Sequence, residues 1–157
     1  MTFTQLQVHS NYTLLHSPLA LSDLISAAKS RGYSAIALTD TNVVYGLVEF
    51  YRQAKAAGLK PLLGMQIAID DAKLLVIAKN NQGYHQLLKI STQIMLATSP
   101  VAFADLLPLT GLVAITLPDS PFSAAVAAND HDRAVAFYRS LIINSRKRCM
   151  LVWMRLI

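Results

Sequence analysis

Two of the chain's four histidines, His9 and His16, lie in the stretch "QVHSNYTLLHS", residues 7–17. Imidazole nitrogens bind divalent metals when carboxylates or further imidazoles complete the ligand set. Asp40 and Gln66 are polar residues beside apolar stretches later in the chain. The histidines therefore belong either to a working metal site or to the remnant of one.

Helices are predicted where apolar residues recur at intervals of three and four. This spacing occurs in "LSDLISAAKSRG", "YGLVEFYRQAKAAG" and "NQGYHQLLKISTQIML". In the first, Ser22 is placed to cap the helix and Gly32 to end it. Shorter helices are predicted in "SPFSAAVAAND" and in "HDRAVAFYRSLI", the second with Asp130 or Asp132 as its cap.

Strands are predicted between the helices, in "LQVHS", "SAIALTD", "LKPLLGMQIAI", "KLLVIAK" and "TGLVAITL". Alternating strands and helices predict an α/β fold with a parallel sheet covered by helices. In such folds, ligands bind at the carboxyl ends of the strands. We therefore expect His9, Asp40 and Gln66 to lie at or just beyond strand ends and to face one cleft.

Composition narrows the class of protein. Hydrophobic residues make up 54% of the 157 residues, which is typical of a folded domain. The single cysteine, Cys149, excludes an internal disulfide and a cysteine metal cluster. The apolar runs are too short for a membrane span and no secretory signal is visible, so a cytoplasmic protein is predicted. Most of the net charge of +5 comes from residues 144–157, which we separate as a basic tail from a domain at 1–143.

Three longer segments carry a resemblance to a known family. The segments "QVHSNYTLL", "AIALTDTNVVYGLVEFYRQAKAAGLKPLLGMQI" and "KLLVIAKNNQGYHQLLKIST" resemble the N-terminal polymerase-and-histidinol-phosphatase (PHP) domain of bacterial DNA polymerase III alpha subunits. The resemblance covers roughly residues 3–140 and implies a distorted, TIM-like β/α barrel. It also implies a cleft for divalent metals that hydrolyses phosphoesters, in some polymerases as a 3′–5′ exonuclease.

The resemblance assigns seven positions of this chain to that cleft. His9 and Asp40 match the family's ligands, and His16 stands where the family has an aspartate. The other four positions have side chains with little or no affinity for a metal: Gln7 and Thr41 replace histidines, Gln66 replaces a glutamate and Lys73 replaces a histidine. The resemblance therefore indicates a degenerate site with no catalytic residue and no resident cofactor. The alternative that stays open is a single weakly held zinc on His9, His16 and Asp40.

Loss of the metal would leave the Asp40 carboxylate without its cation. One hypothesis is that the Lys73 ammonium points to Asp40, while Gln7, His9 and Gln66 complete a hydrogen-bond network. The alternative is that Lys73 extends to solvent and backbone N–H groups at the start of the next helix satisfy Asp40.

The predicted function is a non-catalytic structural PHP domain of a replicative DNA polymerase, present as a truncated fragment with an incomplete barrel. Its predicted partners are the rest of the alpha subunit and the replisome. We expect it to contact DNA only as part of the parent protein and to have no membrane partner. We also expect it to self-associate through the apolar sheet surface that an incomplete barrel leaves uncovered. The alternatives are a free-standing metal-dependent phosphoesterase or 3′–5′ exonuclease, and a small basic module that binds nucleic acid.

Overall fold

The computed structural model describes residues 3–69, 72–118 and 120–144. Helices and strands alternate along most of this length, which confirms the predicted α/β class. The elements in chain order are α1 (Leu21–Ser30), β1 (Ala35–Leu38), α2 (Leu47–Ala56), β2 (Lys60–Ile69), β3 (Ala72–Ala78), α3 (Asn81–Leu96), a 3₁₀ turn (Phe103–Leu106), β4 (Leu112–Thr116), α4 (Pro121–Ala127) and α5 (His131–Asn144). No helix in these ranges is long and apolar enough to cross a membrane.

The helix ends mostly follow the sequence signals. Gly32 follows α1 with φ at +71°, a conformation that glycine adopts without steric cost. The Asp130 carboxylate caps α5 by accepting the N–H of Arg133 at 3.0 Å. The predicted cap of α1 is wrong, because Ala20 holds the N-cap position and no side chain caps the helix. Ser22 is already the second helical residue, two positions after the N-cap, so it cannot cap the helix.

The sheet contains four strands in the order β1-β2-β3-β4. Strands β1 and β2 pair in parallel, whereas β2 with β3 and β3 with β4 pair antiparallel. The prediction of a parallel sheet therefore holds for β1 with β2 and is wrong for the other two pairings. Only residues 70 and 71 separate β2 from β3, and so short a link forces an antiparallel hairpin, since a parallel crossover needs a dozen residues or more.

The stretch "LQVHS" lies beside β1 without forming a regular strand. The Ala37 N–H donates to the Gln5 carbonyl at 3.1 Å, and the Thr39 N–H donates to the Val8 carbonyl at 2.8 Å. The Val8 N–H, however, donates to the Thr39 hydroxyl at 2.9 Å. A side chain thus takes the place of a backbone acceptor and interrupts the ladder.

The main core lies between the sheet and helices α1, α2 and α3. Phe50, Ile36, Leu38, Met65 and Leu87 are almost completely buried there. A smaller cluster of Leu75, Ile77, Ile115 and Leu117 lies apart from it. Leu75 and Ile77 alternate along β3 with the core residues Leu74 and Val76, so the small cluster occupies the opposite face of the sheet.

Candidate functional site

The Asp40 carboxylate is the centre of the polar cluster at the end of β1. It lies two residues beyond Leu38, the last residue of the strand, and is only 3% exposed. Its Oδ1 accepts the Ser10 N–H at 2.6 Å and the Thr13 hydroxyl at 2.7 Å, and its Oδ2 accepts the Ser10 hydroxyl at 2.7 Å. A carboxylate has about four acceptor sites, so three donors compensate most of the cost of its burial.

The donors come from a tight turn in the N-terminal stretch. Ser10 and Thr13 are buried, and the Thr13 N–H donates to the Ser10 carbonyl at 3.0 Å. The Ser10 hydroxyl also accepts the Tyr12 N–H at 3.2 Å, and the Thr13 hydroxyl accepts the Thr41 N–H at 3.1 Å. The Ser10 hydroxyl therefore stabilises the turn and the carboxylate together, and the Thr13 hydroxyl links the turn to Thr41 next to the carboxylate.

Sequence reasoning missed Ser10 and Thr13. Both stand in the same stretch as the two histidines that drew attention to metal binding. The available signal was two hydroxyl residues three apart, a spacing that allows both to reach one acceptor across a turn.

Gln7 and Gln66, two further residues of the predicted cleft, form a hydrogen-bonded amide pair. The Gln7 Nε2 donates to the Gln66 Oε1 at 2.9 Å, and Gln66 is 6% exposed. Thr41 is the bridge partner of Gln66, so Thr41 adjoins both the amide pair and the Asp40 cluster. Gln66 is an interior residue of β2, so its predicted location at a strand end is wrong.

Neither histidine joins Asp40 in a ligand set. The His9 Nε2 is buried and has no hydrogen-bond partner among the described residues, a feature that alone would suit a metal ligand. His16 is exposed in the turn after Thr13. Within the described ranges, no group of three or more His, Cys, Asp or Glu residues could hold a metal ion.

Lys73 is half-buried as the second residue of β3. It pairs with Ala68, which places it on the same face of the sheet as Gln66. The contact between Lys73 and Asp40 remains a prediction. Its premise was a carboxylate without partners, and that premise is wrong, because Ser10 and Thr13 donate to Asp40. The alternative hypothesis placed the donors to Asp40 at the start of the next helix. That is also wrong, because the donors come from Ser10 and Thr13 in the N-terminal turn.

These residues do not fit the metal cluster that the resemblance implies. Such a cluster needs carboxylates and imidazoles to offset its charge, whereas Gln7 and Gln66 present neutral amides already paired with each other. The Asp40 oxygens already accept hydrogen bonds from Ser10 and Thr13. The described residues therefore supply no ligand set for metal-assisted hydrolysis.

The comparisons with known proteins agree on one family. The family model described as "PHP domain" matches residues 5–120. The chain is 44% identical over 99 residues to the DNA polymerase III subunit alpha of Bacillus subtilis, and this match covers 59% of the chain and 9% of the relative. It is 39% identical over 105 residues to the protein of the same name from Borreliella burgdorferi, covering 57% of the chain and 9% of the relative. The chain thus spans about a tenth of the length of these curated relatives.

Among solved structures, an amidohydrolase from Chromobacterium violaceum aligns with a TM-score of 0.46 at 20% identity. That alignment covers 59% of this chain and 32% of the other.

Proposed function

The chain belongs to the PHP domain family, and on this premise we propose that it is a non-catalytic PHP domain of the kind found in DNA polymerase III alpha subunits. The identity of 44% to such a subunit over 99 residues supports the polymerase branch. The observation that carries the non-catalytic part is the Asp40 carboxylate, which accepts three hydrogen bonds from Ser10 and Thr13.

In this proposal, Asp40 has a structural role. Its hydrogen bonds tie the N-terminal turn to the end of β1, and a hydrogen bond to a charged group contributes roughly 1.5–3 kcal/mol. The Ser10 and Thr13 hydroxyls thus stabilise the buried negative charge that a metal cation would otherwise balance. The cleft then serves the stability of the domain rather than hydrolysis, and His9 and His16 carry no metal.

Metal analysis and hydrolysis assays test the proposal together. The purified full chain should carry less than one equivalent of zinc or manganese after dialysis against those ions. It should not hydrolyse p-nitrophenyl phosphate or the 3′ end of a DNA strand above the level of a heat-denatured sample. Two or more tightly bound metals together with hydrolysis would establish the alternative, a metal-dependent phosphoesterase or 3′–5′ exonuclease.

DNA synthesis is the activity named for the relatives, which extend far beyond the matched region. We propose that this chain contributes to it only by packing against the remainder of an alpha subunit in the cytoplasm. Alone, it should extend no primer on a template in the presence of nucleotides and magnesium. Extension by the nuclease-free chain would contradict the proposal.

Direct binding of nucleic acid is the remaining alternative. Residues 1–143 contain ten Lys or Arg and nine Asp or Glu, a balance that does not favour phosphate binding. The full chain should therefore bind DNA weakly, and any binding should disappear when residues 144–157 are removed. Tight, salt-dependent binding that survives this truncation would support the alternative.

A further inference from the structure

Helices α2 and α3 leave an apolar groove between them at the surface. Two cavities of about 380 and 410 Å³ adjoin there, because Val48 and Tyr84 line both. We call this surface the α2–α3 groove. Five of the chain's exposed large hydrophobic residues line it: Tyr45, Val48, Tyr51, Met95 and Leu96. Such a concentration of exposed apolar surface is typical of an interaction site.

Tyr51 shows that the surface faces outward. Helical spacing places Tyr51 on the side of α2 that carries Leu47, Phe50 and Ala54. The structure buries those three residues but leaves Tyr51 46% exposed. An exposed tyrosine presents a large apolar ring to solvent, and this ring is available for contact with a partner.

The groove has an uneven distribution of charge. The first cavity includes Lys79 together with Asn80 and Asn81 at the start of α3, where the helix dipole is positive. The Lys55 ammonium lies 5.9 Å from the centre of the Tyr51 ring. The second cavity has no charged lining residue among those the structure describes. One end of the groove is therefore cationic and the other apolar.

The shape fits a helix. Tyr84 to Leu96 spans about 18 Å along α3 at 1.5 Å per residue, the length of roughly three helical turns. From these features, we propose that the α2–α3 groove binds an amphipathic helix of a partner protein, with apolar anchors at i, i+3 or i+4 and i+7 and acidic residues at the end that meets Lys55.

Charge argues against the chain's own C-terminal residues as the occupant. Residues 145–157 contain Arg146, Lys147, Arg148 and Arg155 and no acidic residue. They would bring like charges to the cationic end of the groove, and like-charge contacts oppose association.

The test uses the full chain and a designed helical peptide of about 15 residues, with leucines at helical spacing and glutamates elsewhere. Binding is measured by fluorescence anisotropy and mapped by NMR shift changes. The glutamate peptide should bind at least about fivefold more tightly than versions with lysine for glutamate or with a scrambled order. Shift changes should concentrate on α2 and α3. Equal affinity for all three peptides, or no binding at about 1 mM, would overturn the proposal.

Matched variants locate the interaction. Tyr51→Ala should weaken peptide binding at least about fivefold, while Tyr138→Ala, at a similarly exposed tyrosine of α5, should leave it unchanged. Lys55→Glu should weaken binding to the same degree, and Lys29→Glu, in the equivalent last turn of α1, should not. If each groove variant weakened peptide binding no more than its control variant, the assignment of binding to the α2–α3 groove would be wrong.

Two other occupants give distinct outcomes. Oligo(dT) binding that falls with Tyr51→Ala, without peptide binding, would assign the groove to single-stranded nucleic acid. A dimer in sedimentation that dissociates with Tyr51→Ala would assign it to a second copy of the chain. Either result would refute a partner helix without bearing on the metal analysis.

Discussion

At the scale of single residues, Asp40 determines how the cleft is organised. Its carboxylate is 3% exposed and accepts three hydrogen bonds. A buried acceptor that loses its charge or its partners destabilises the folded state strongly.

The first prediction follows from this geometry. Asp40→Asn removes the charge and replaces one carboxylate oxygen by an NH₂ group, so at least one hydrogen bond that this oxygen accepts from Ser10 or Thr13 is lost. We expect the free energy of unfolding to fall by about 2–4 kcal/mol in urea denaturation. The matched change Asp23→Asn, at an exposed residue in the first turn of α1, should cost less than about 1 kcal/mol. A similar loss for both variants would contradict the role of Asp40.

Lys73 provides the second prediction. Lys73→Met removes the ammonium but none of the three donors on Asp40. The free energy of unfolding should therefore fall by less than it does for Asp40→Asn in the same urea titrations. An equal or larger loss, with no further loss in the double variant, would show that Lys73 pairs with Asp40 as the sequence hypothesis proposed.

At the scale of elements, α3 depends on a close backbone contact. A Cβ on Gly83 would meet the carbonyl of Gly111 and approach the Cα of Ala78 to 3.1 Å. Gly111 itself has φ at +75°. The N-terminus of α3 therefore packs against the turn before β4 at a distance that only glycine allows.

The third prediction concerns this contact. Gly→Ala in a helix interior usually stabilises by up to about 1 kcal/mol. Gly83→Ala should instead destabilise by roughly 1–3 kcal/mol, because the new methyl group overlaps backbone atoms that cannot move aside. Thermal and urea denaturation measure the loss, with Gln82→Ala at the exposed neighbouring position as the control. Unchanged or increased stability of Gly83→Ala would show that the turn yields.

At the scale of the whole molecule, stability should be independent of metal. A ligand present at 100 times its dissociation constant stabilises the folded state by about 2.7 kcal/mol, which raises the melting temperature of a chain of this size by several degrees. We expect EDTA or added zinc to shift the melting temperature by less than about 1 °C. A rise with zinc that Asp40→Asn abolishes would show a working site.

The sequence by itself determined the helices and the family. Periods of three and four residues predicted α3 at Asn81–Leu96, and long segments resembled the PHP domain that the family comparison then matched over residues 5–120. These signals are local or collinear with the chain, so they need no knowledge of tertiary contacts. The ligand replacements that the resemblance assigns to Gln7, Thr41, Gln66 and Lys73 stay predictions.

Only the tertiary structure decided which groups meet. It paired Gln7 with Gln66 across 59 residues, gave Asp40 the hydroxyls of Ser10 and Thr13, and turned β3 and β4 antiparallel. Strand direction follows from how connections close, and hydrogen-bond partners follow from distances in space. The two-residue link before β3 favoured an antiparallel pairing, and the spacing of Ser10 and Thr13 allowed a shared acceptor. Neither signal identified Asp40 as that acceptor, so its donor set could not be read from the chain alone.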